Sequence, residues 1–505
     1  MKKKISVFSY IAPFGNRLSK RDLFGTGLFY KACKTLYGKG TETIELAAVA
    51  EGEAYRKFGI YTIVDKNAVS PEQKNGTARK FHTINSSNSV IIGTIRMGFG
   101  HWRIAIALAS AAHYMGYTPY MLDLLSFKGT VTSKSINLLE NLYNTASRFS
   151  QKSFLFNKIW ENCTSSGGQT LNVCVRERTF SRLFTQVFTN IPKNIPVLSA
   201  HPWVGHAAVL SGMKTVVSII PDNLPMAFWL VEGSRHTVQS PSACMGYRIL
   251  ISMECKHSPV TKCLLSDDIS DTGHYVDYEI VSNIQNDCTQ RLKRAAKKKP
   301  RRFLLTMGGA GAQAKKFAQI ALYCKTEIQN GKACLLINMG DHKGRWAELK
   351  DMLDKQQETY TMHTNWEETM QFCSNSAEQQ ISGIHVFLHD NFYAAVYTTN
   401  ILMRVCDIMI TKPSELSFYP VPKLFIHRVG KHEAWGAIRG AEIGDGTIET
   451  DSDSALERTL RELIYQDDLL KMYINHILKN QKAGIYDGAR NAVKLAVTLA
   501  EQRKI

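Results

Sequence analysis

The stretch that decides the fold is NSVIIGTIRMGFGHWRIAIALASAAHYMGYTPYMLDLL, residues 88–125. Its apolar run SVIIGTI predicts a buried strand, and the glycines of MGFGHWR predict a tight turn. HWRIAIALASAAHYMG predicts a helix that ends at Gly116, and PYMLDLL predicts a second strand. A strand, a helix and a strand in this order are the repeating unit of a parallel sheet.

The same alternation continues along the chain and restarts after a connection at residues 271–287. We therefore predict an α/β protein with two Rossmann-like, doubly wound domains that face a cleft. The first covers residues 86–275, and the second covers residues 276–505 and ends in a helical tail. Residues 1–85 are predicted as an N-terminal extension. Ligands of such sheets bind beyond the carboxyl ends of the strands.

The charge of the chain limits its partners. Its 505 residues carry a formal net charge of +18, and the 44% hydrophobic content is typical of a globular protein rather than a disordered or fibrous one. A surface this basic attracts nucleic acid, anionic lipid or phosphorylated small molecules. The basic run QRLKRAAKKKPRR, residues 290–302, predicts a solvated helix face and loop, with contact to anionic lipid or nucleic acid as the alternative.

Cysteine usage and hydropathy predict the compartment. The 11 cysteines include no C-x-x-C pair, which favours a reducing compartment. The N-terminal residues lack an apolar stretch of signal length, and no segment reads as a membrane span. We therefore expect a cytoplasmic protein with at most peripheral contact to the inner face of the membrane. Nucleic acid is not an expected partner, because the basic run lacks interleaved aromatic residues.

Two glycine turns, one in each half, are candidate ligand sites. Gly98 and Gly100 precede His101, and MGGAGAQ at residues 307–313 precedes the first helix of the second half. Such turns let backbone N–H groups approach an anion at a helix N-terminus. The second turn lacks the Lys-Ser/Thr of a P-loop, so phosphoryl transfer from ATP is not expected. For His101 the alternative is a capping or core histidine. The predicted anion-binding residues of the second turn are Gly308, Gly309, Ala310 and Gly311.

Polar residues that follow two other strands complete the candidate site. Asp222 ends the strand KTVVSIIP, where a carboxylate is well placed as a general base. His201 and His206 have no third ligand nearby in the pattern, so we predict no metal site. The loop after the strand CDIMITK could line a polar site, with ordinary loop and cap positions as the alternative. Its candidate residues are Lys412, Ser414, Glu415, His432 and Glu433.

Taken together, these motifs resemble the GT-B glycosyltransferases, in particular the branch that contains MurG and the monogalactosyldiacylglycerol synthases. That branch has a G-x-G-H turn, matched by Gly98, Gly100 and His101, and a glycine turn matched at residues 308–311. Its donor-site signature is similar to CDIMITKPSELS, VGKHEAW and EIGDGT, and its interdomain crossover is similar to DTGHYVDYEI. The resemblance covers about residues 87–500.

The resemblance implies inverting transfer of a sugar from a nucleotide diphosphate sugar, UDP-linked, without a metal or another cofactor. The second domain would hold the donor at the 308–311 turn and the 412–415 loop. The first domain would hold the acceptor, a membrane lipid being one candidate. His101 or Asp222 would be the base, and Gly98 and Gly100 would form the acceptor-side turn.

The chain also departs from the family pattern. ELSFYPVPK runs almost directly into the next strand, where the family has a longer helix, and Trp435 stands where the family has an asparagine. Two alternatives therefore stay open: a non-hydrolysing nucleotide-sugar epimerase, and a non-catalytic GT-B-like binding protein. The sequence carries no signal that sets an oligomeric state.

Overall fold

The chain folds into two compact units in the computed structural model. The first unit comprises Met1–Met97, Ile104–His274 and Gly488–Ile505, and the second comprises Gly98–Arg103 and Tyr275–Asp487. The structure describes residues 13–50, 58–69, 80–150, 168–308, 313–376, 379–428, 430 and 433–503, with the side chains of residues 142–150 left aside.

The first unit is built on an eight-stranded sheet in the order β1-β2-β4-β3-β5-β6-β7-β8. All neighbouring pairs are parallel except β1 and β2. Its strands are β1 (Leu46–Val49), β2 (Tyr61–Asp65), β3 (Ser89–Thr94), β4 (Thr118–Asp123), β5 (Val197–Ser199), β6 (Val216–Ile219), β7 (Arg235–Val238) and β8 (Ile269–Asp271). Its helices before the second unit are α1 (Leu28–Tyr37), α2 (Gly100–Tyr114, shared with the second unit), α3 (Val131–Ser150), α4 (Asn172–Phe180), α5 (Pro202–Leu210) and α6 (Pro241–Arg248).

The second unit is built on a six-stranded parallel sheet in the order β11-β12-β10-β9-β13-β14. Its strands are β9 (Arg301–Thr306), β10 (Ala333–Gly340), β11 (Tyr360–His363), β12 (Gly383–Leu388), β13 (Ile408–Thr411) and β14 (Lys423–Phe425). Its helices are α7 (Tyr278–Ala296), α8 (Ala314–Tyr323), α9 (Lys325–Gln329), α10 (Lys343–Lys355), α11 (Trp366–Ser376), α12 (Phe392–Val405), α13 (Ala434–Glu442), α14 (Asp453–Tyr465) and α15 (Asp467–Lys482). The last helix of the chain, α16 (Gly488–Gln502), belongs to the first unit.

The α/β class predicted from the sequence is confirmed by these two sheets. Every residue of β3, β9 and β10 is buried, as expected for parallel strands with both faces covered. In each sheet the central strand is followed by a neighbour on one side, and the chain later crosses to the other side. That crossover is the doubly wound pattern.

The two units differ from the predicted domains at both ends of the chain. Residues 1–85, predicted as an extension, contribute β1 and β2, and β2 lengthens the sheet by pairing with β4. The predicted strand SVFSYIAPF lies almost wholly outside the described residues. The predicted helical tail ends in α16, which returns to the first unit because its alanine and valine face is buried there.

The arginines of the basic run at 290–302 are buried, so the prediction of a solvated face was wrong for them. Arg291 donates to the carbonyl oxygens of Met403 and Cys406 at 2.7 and 3.0 Å. Arg294 pairs with Asp407 at 2.8 Å. The buried arginines of the run are Arg291, Arg294, Arg301 and Arg302. These guanidinium groups satisfy carbonyls at the ends of helices and strands. The exposed cations of the run are Lys293, Lys297, Lys298 and Lys299.

Among the described residues, no helix combines the length and the apolar character needed to cross a bilayer.

Candidate functional site in the second unit

The second sheet has its topological switch point between β9 and β13. From β9 the chain moves to β10 on one side, and after β12 it crosses to β13 on the other side. The segments that follow β9 and β13 therefore leave the same edge of the sheet at neighbouring positions. In open α/β sheets this crevice at the carboxyl ends of the strands is where ligands bind.

A glycine and a lysine meet at this switch point. A Cβ atom built on Gly308 would lie 3.3 Å from Cε of Lys412, so the glycine leaves room for the lysine stem. The Lys412 ammonium forms an ion pair with the Glu433 carboxylate, and both side chains are mostly buried. Glu433 also accepts a hydrogen bond from the backbone N–H of Gly430 at 3.1 Å. The arrangement provides a cation beside Gly308, the chemistry that an anionic ligand requires.

The turn GFGHWR belongs to this same unit. A Cβ on Gly100 would lie 3.2 Å from Oε2 of Glu415, and Nε of Arg103 lies 3.7 Å from Oε1 of that carboxylate. Arg103 is only 2% exposed. Its guanidinium donates to Oδ1 of Asn400 at 2.8 Å and to Oγ1 of Thr399 at 3.3 Å. Arg103 therefore joins the glycine turn, helix α12 and the loop after β13 in one polar network.

A buried carboxyl group extends this network. The hydroxyl of Tyr419 donates to Oδ2 of Asp277 at 2.6 Å. Burial raises the pKa of Asp277 to about 6, against the lowering effects of the Tyr419 hydrogen bond and the Arg103 charge. The pKa of Tyr419 is raised well above its ordinary value, first by burial and then by the Asp277 charge. This carboxyl group consequently changes its protonation at a pH well above the ordinary range of aspartate.

Aromatic contacts hold the glycine turn within the second unit. The Phe99 ring packs against His342 and Phe392, with ring centroids 5.2 and 5.4 Å apart. Trp102 packs edge-on against Phe392 and Tyr393 at 5.3 and 4.9 Å. These contacts explain why residues 98–103 belong to this unit although β3, the strand before them, belongs to the first. The predicted assignment of Gly98 and Gly100 to a separate acceptor domain thus differs from the observed unit.

The two predicted catalytic residues lie in different units. His101 is half-buried in the first turn of α2 and belongs to the second unit. Asp222 follows β6 in the first unit, and its Oδ2 accepts a hydrogen bond from the Trp229 indole at 3.0 Å. Nearby, His201 caps the N-terminus of α5, since its Nδ1 accepts the N–H of Trp203 at 3.3 Å.

Of the remaining predicted residues, some are described by the structure and others are not. Gly98 adopts a φ of +79°, which favours glycine. The backbone N–H of Ser414 donates to Oγ of Ser417 at 3.0 Å, which stabilises a local turn. The residues outside the described part of the chain are Gly309, Ala310, Gly311 and His432. Across the part of the chain that the structure describes, no group of three histidine, cysteine, aspartate or glutamate side chains could hold a metal ion. Metal-independent chemistry stays a prediction.

Sequence reasoning missed Arg103, Asp277 and Tyr419. Arg103 carried a usable signal, because it is the one charged residue before a long apolar helical run, IAIALASAA, and a charge there needs a buried partner. Asp277 and Tyr419 carried none, because they lie 142 residues apart and only the fold brings them together.

Two family models match the chain. A domain of unknown function, DUF6937, matches residues 12–249, and a second domain of unknown function, DUF6938, matches residues 264–497. Each match covers somewhat less than half of the chain. Among curated proteins, no sequence matches it.

Solved structures with a similar arrangement include three that align over most of their own length. A glycosyltransferase from Rickettsia africae ESF-5 is 11% identical, with 82% of this chain and 98% of that chain covered and a TM-score of 0.40. A UDP-GlcNAc 2-epimerase from Neisseria meningitidis is 11% identical, with 81% and 100% covered and a TM-score of 0.39. MnaA from S. aureus, in a structure with UDP, is 13% identical, with 81% and 95% covered and a TM-score of 0.37.

Proposed function

We propose that this protein is a glycosyltransferase that moves a hexosyl group from a nucleotide diphosphate sugar, UDP-linked, to an acceptor hydroxyl. The observation that carries the proposal is the Lys412 ammonium beside Gly308 at the switch point of the second sheet. The motif resemblance to the MurG and monogalactosyldiacylglycerol synthase branch supports the same donor site. We assign the rest of that site to Gly309, Ala310, Gly311, Ser414, Glu415, His432 and Glu433.

The chemistry follows from the charge that develops during transfer. The bond between the anomeric carbon and a diphosphate oxygen breaks, and a bond from that carbon to the acceptor oxygen forms with inversion. The departing diphosphate gains negative charge, which a fixed cation such as Lys412 stabilises without a metal. For this role the Lys412 ammonium exchanges part of its contact with Glu433 for phosphate oxygens.

The acceptor proton goes to a base, and we assign this role to His101 or Asp222. His101 belongs to the same unit as Lys412 and Glu415, which supports it as the first choice. A neutral imidazole takes a proton at physiological pH. We propose a membrane lipid as the acceptor class, with the enzyme cytoplasmic and peripheral at the membrane, because the net charge of +18 favours an anionic surface.

The test follows free nucleotide diphosphate. Purified protein is incubated with UDP-, GDP- and dTDP-sugars, with and without lipid, and we expect lipid-dependent release from a UDP-sugar. Lys412→Met should lower kcat by about 100-fold or more, the typical loss when one transition-state donor is removed. Lys350→Met, at an exposed lysine of the same unit, is the matched control.

Three outcomes would contradict the proposal. Interconversion of the sugar without release of the diphosphate would indicate an epimerase. Binding of a sugar nucleotide without turnover would indicate a non-catalytic protein. Turnover by Lys412→Met within tenfold of the wild type, at an unchanged thermal midpoint, would remove Lys412 from the donor site.

A further inference from the structure

The helix α1 and the turn before it carry apolar side chains that face solvent. Phe24 is 88% exposed, and Leu28 and Leu36 are each 64% exposed. Leu28 and Leu36 are eight residues apart, so they lie on one face of the helix. Cys33, turned about 140° from Leu28 around the helix axis, is fully buried in the core of the first unit. The helix is thus apolar on its inner and on its outer face.

Basic residues accompany these apolar side chains, and acidic ones do not. The segment from residue 23 to residue 41 contains no aspartate or glutamate. Asp22, just before it, is buried and accepts hydrogen bonds from Ser19 and Ser258. We name the surface formed by the following exposed residues the basic apolar face: Lys20, Arg21, Phe24, Leu28, Lys31, Leu36 and Lys39.

We propose that the basic apolar face binds the surface of an anionic membrane. Phe24, Leu28 and Leu36 would enter the boundary between headgroups and acyl chains, and the cations would contact lipid phosphates. A short helix with exposed leucines, preceded by an exposed phenylalanine, rich in lysine and free of acidic residues, has the composition of an interfacial segment. Exposed apolar side chains that group on one side of a domain mark an interaction surface.

Charge decides between the candidate occupants of this face. A second copy of the chain would bring a net charge of +18 and the same cations against it, whereas an anionic bilayer complements them. Nucleic acid would use the cations and leave the leucines without a partner. Through this face the protein would reach a lipid acceptor. That role rests on the proposed function, whereas binding to the membrane itself does not.

The test uses the full chain and vesicles of phosphatidylcholine, alone or mixed with phosphatidylglycerol, in a sedimentation assay without nucleotide sugar. We expect binding to the anionic vesicles only, weakening as salt is raised. Charge reversal at Lys20, Arg21 and Lys31 to glutamate should weaken binding by about fivefold or more per residue. The triple change Phe24→Ser, Leu28→Ser and Leu36→Ser should weaken it by at least tenfold.

A matched control keeps the result specific. Met245→Ser with Ile251→Ser changes exposed apolar residues of the same unit (60% and 47% exposed) outside the face, and it should bind as the wild type does. The inference would be overturned if both face variants bound vesicles as the wild type does, or if the protein bound neutral vesicles equally well. It would also be overturned if the wild type formed a dimer that the serine variant lost. Absent vesicle binding with intact nucleotide release would refute this inference alone. Intact vesicle binding without nucleotide release would refute only the proposed function.

Discussion

Replacing Arg103 tests the polar network that joins the glycine turn to the loop after β13. Arg103→Met keeps most of the side-chain length and removes the guanidinium. The substitution breaks the hydrogen bonds to Asn400 at 2.8 Å and Thr399 at 3.3 Å and the ion pair with Glu415 at 3.7 Å. Because Arg103 is only 2% exposed, water cannot replace these partners without opening the fold.

The expected loss follows from these distances. Breaking a buried ion pair on one side costs about 3–5 kcal/mol. Glu415 is partly exposed and its contact is long, so that part falls at the low end. The short bond to Asn400 contributes about 1.5–3 kcal/mol as a hydrogen bond to a charged group. We expect a total of about 4.5–6 kcal/mol, or a fall of roughly 9–24 °C in the thermal midpoint of a unit of this size.

Calorimetry measures the stability loss, and donor saturation measures the functional one. We expect the second unit to unfold earlier and the donor KM to rise, because Glu415 loses its cation. Arg103→Lys should recover part of the stability, since it keeps the charge but lacks the planar fork. Arg345→Met, at a partly exposed arginine of the same unit, should change stability by less than about 0.5 kcal/mol.

A double-mutant cycle with Asn400→Ala isolates the central bond. A coupling energy between Arg103 and Asn400 of about 1.5–3 kcal/mol is expected for residues in direct, charge-assisted contact. A coupling below about 0.5 kcal/mol, within the additivity expected of independent sites, would refute the network.

Two further predictions concern stability. Burial lowers the pKa of His236 to about 4, and its Nε2 accepts the N–H of Val231 at 2.9 Å. The free energy that neutral His236 contributes to folding is therefore present above about pH 6.5 and is lost as the pH falls towards 4. In urea unfolding, the stability lost through His236→Gln should shrink by about 2 kcal/mol from pH 7.5 to pH 5. A loss that stays constant with pH would contradict this. Lys423 and Asp445 form a fully buried ion pair at 2.7 Å. Asp445→Asn leaves Lys423 without its counter-ion, so it should lower the free energy of unfolding by about 3–5 kcal/mol in calorimetry. A loss under 1 kcal/mol would be inconsistent with a buried pair.

The sequence predicted most of the sheet and part of the site. Residues 88–125 contain a strand, a glycine turn, a helix and a strand, and the structure has β3, α2 and β4 in that order. The glycine at 308 and the lysine at 412 were found separately, because each follows an apolar strand. Their proximity, which would put a Cβ on Gly308 only 3.3 Å from Cε of Lys412, needed the strand order, which puts β13 next to β9.

By itself the sequence determined the α/β class, since hydrophobic periodicity and turn residues are local properties that a chain of this length repeats many times. Only the tertiary structure showed to which unit the turn GFGHWR belongs. The turn follows a strand of the first unit, yet its side chains find their partners at His342 just before α10, in α12, and in the loop after β13. The buried arginines at 291–302 are a second example. A run of charges predicts a solvated face, but here carbonyl oxygens more than 100 residues away in the chain accept hydrogen bonds from Arg291.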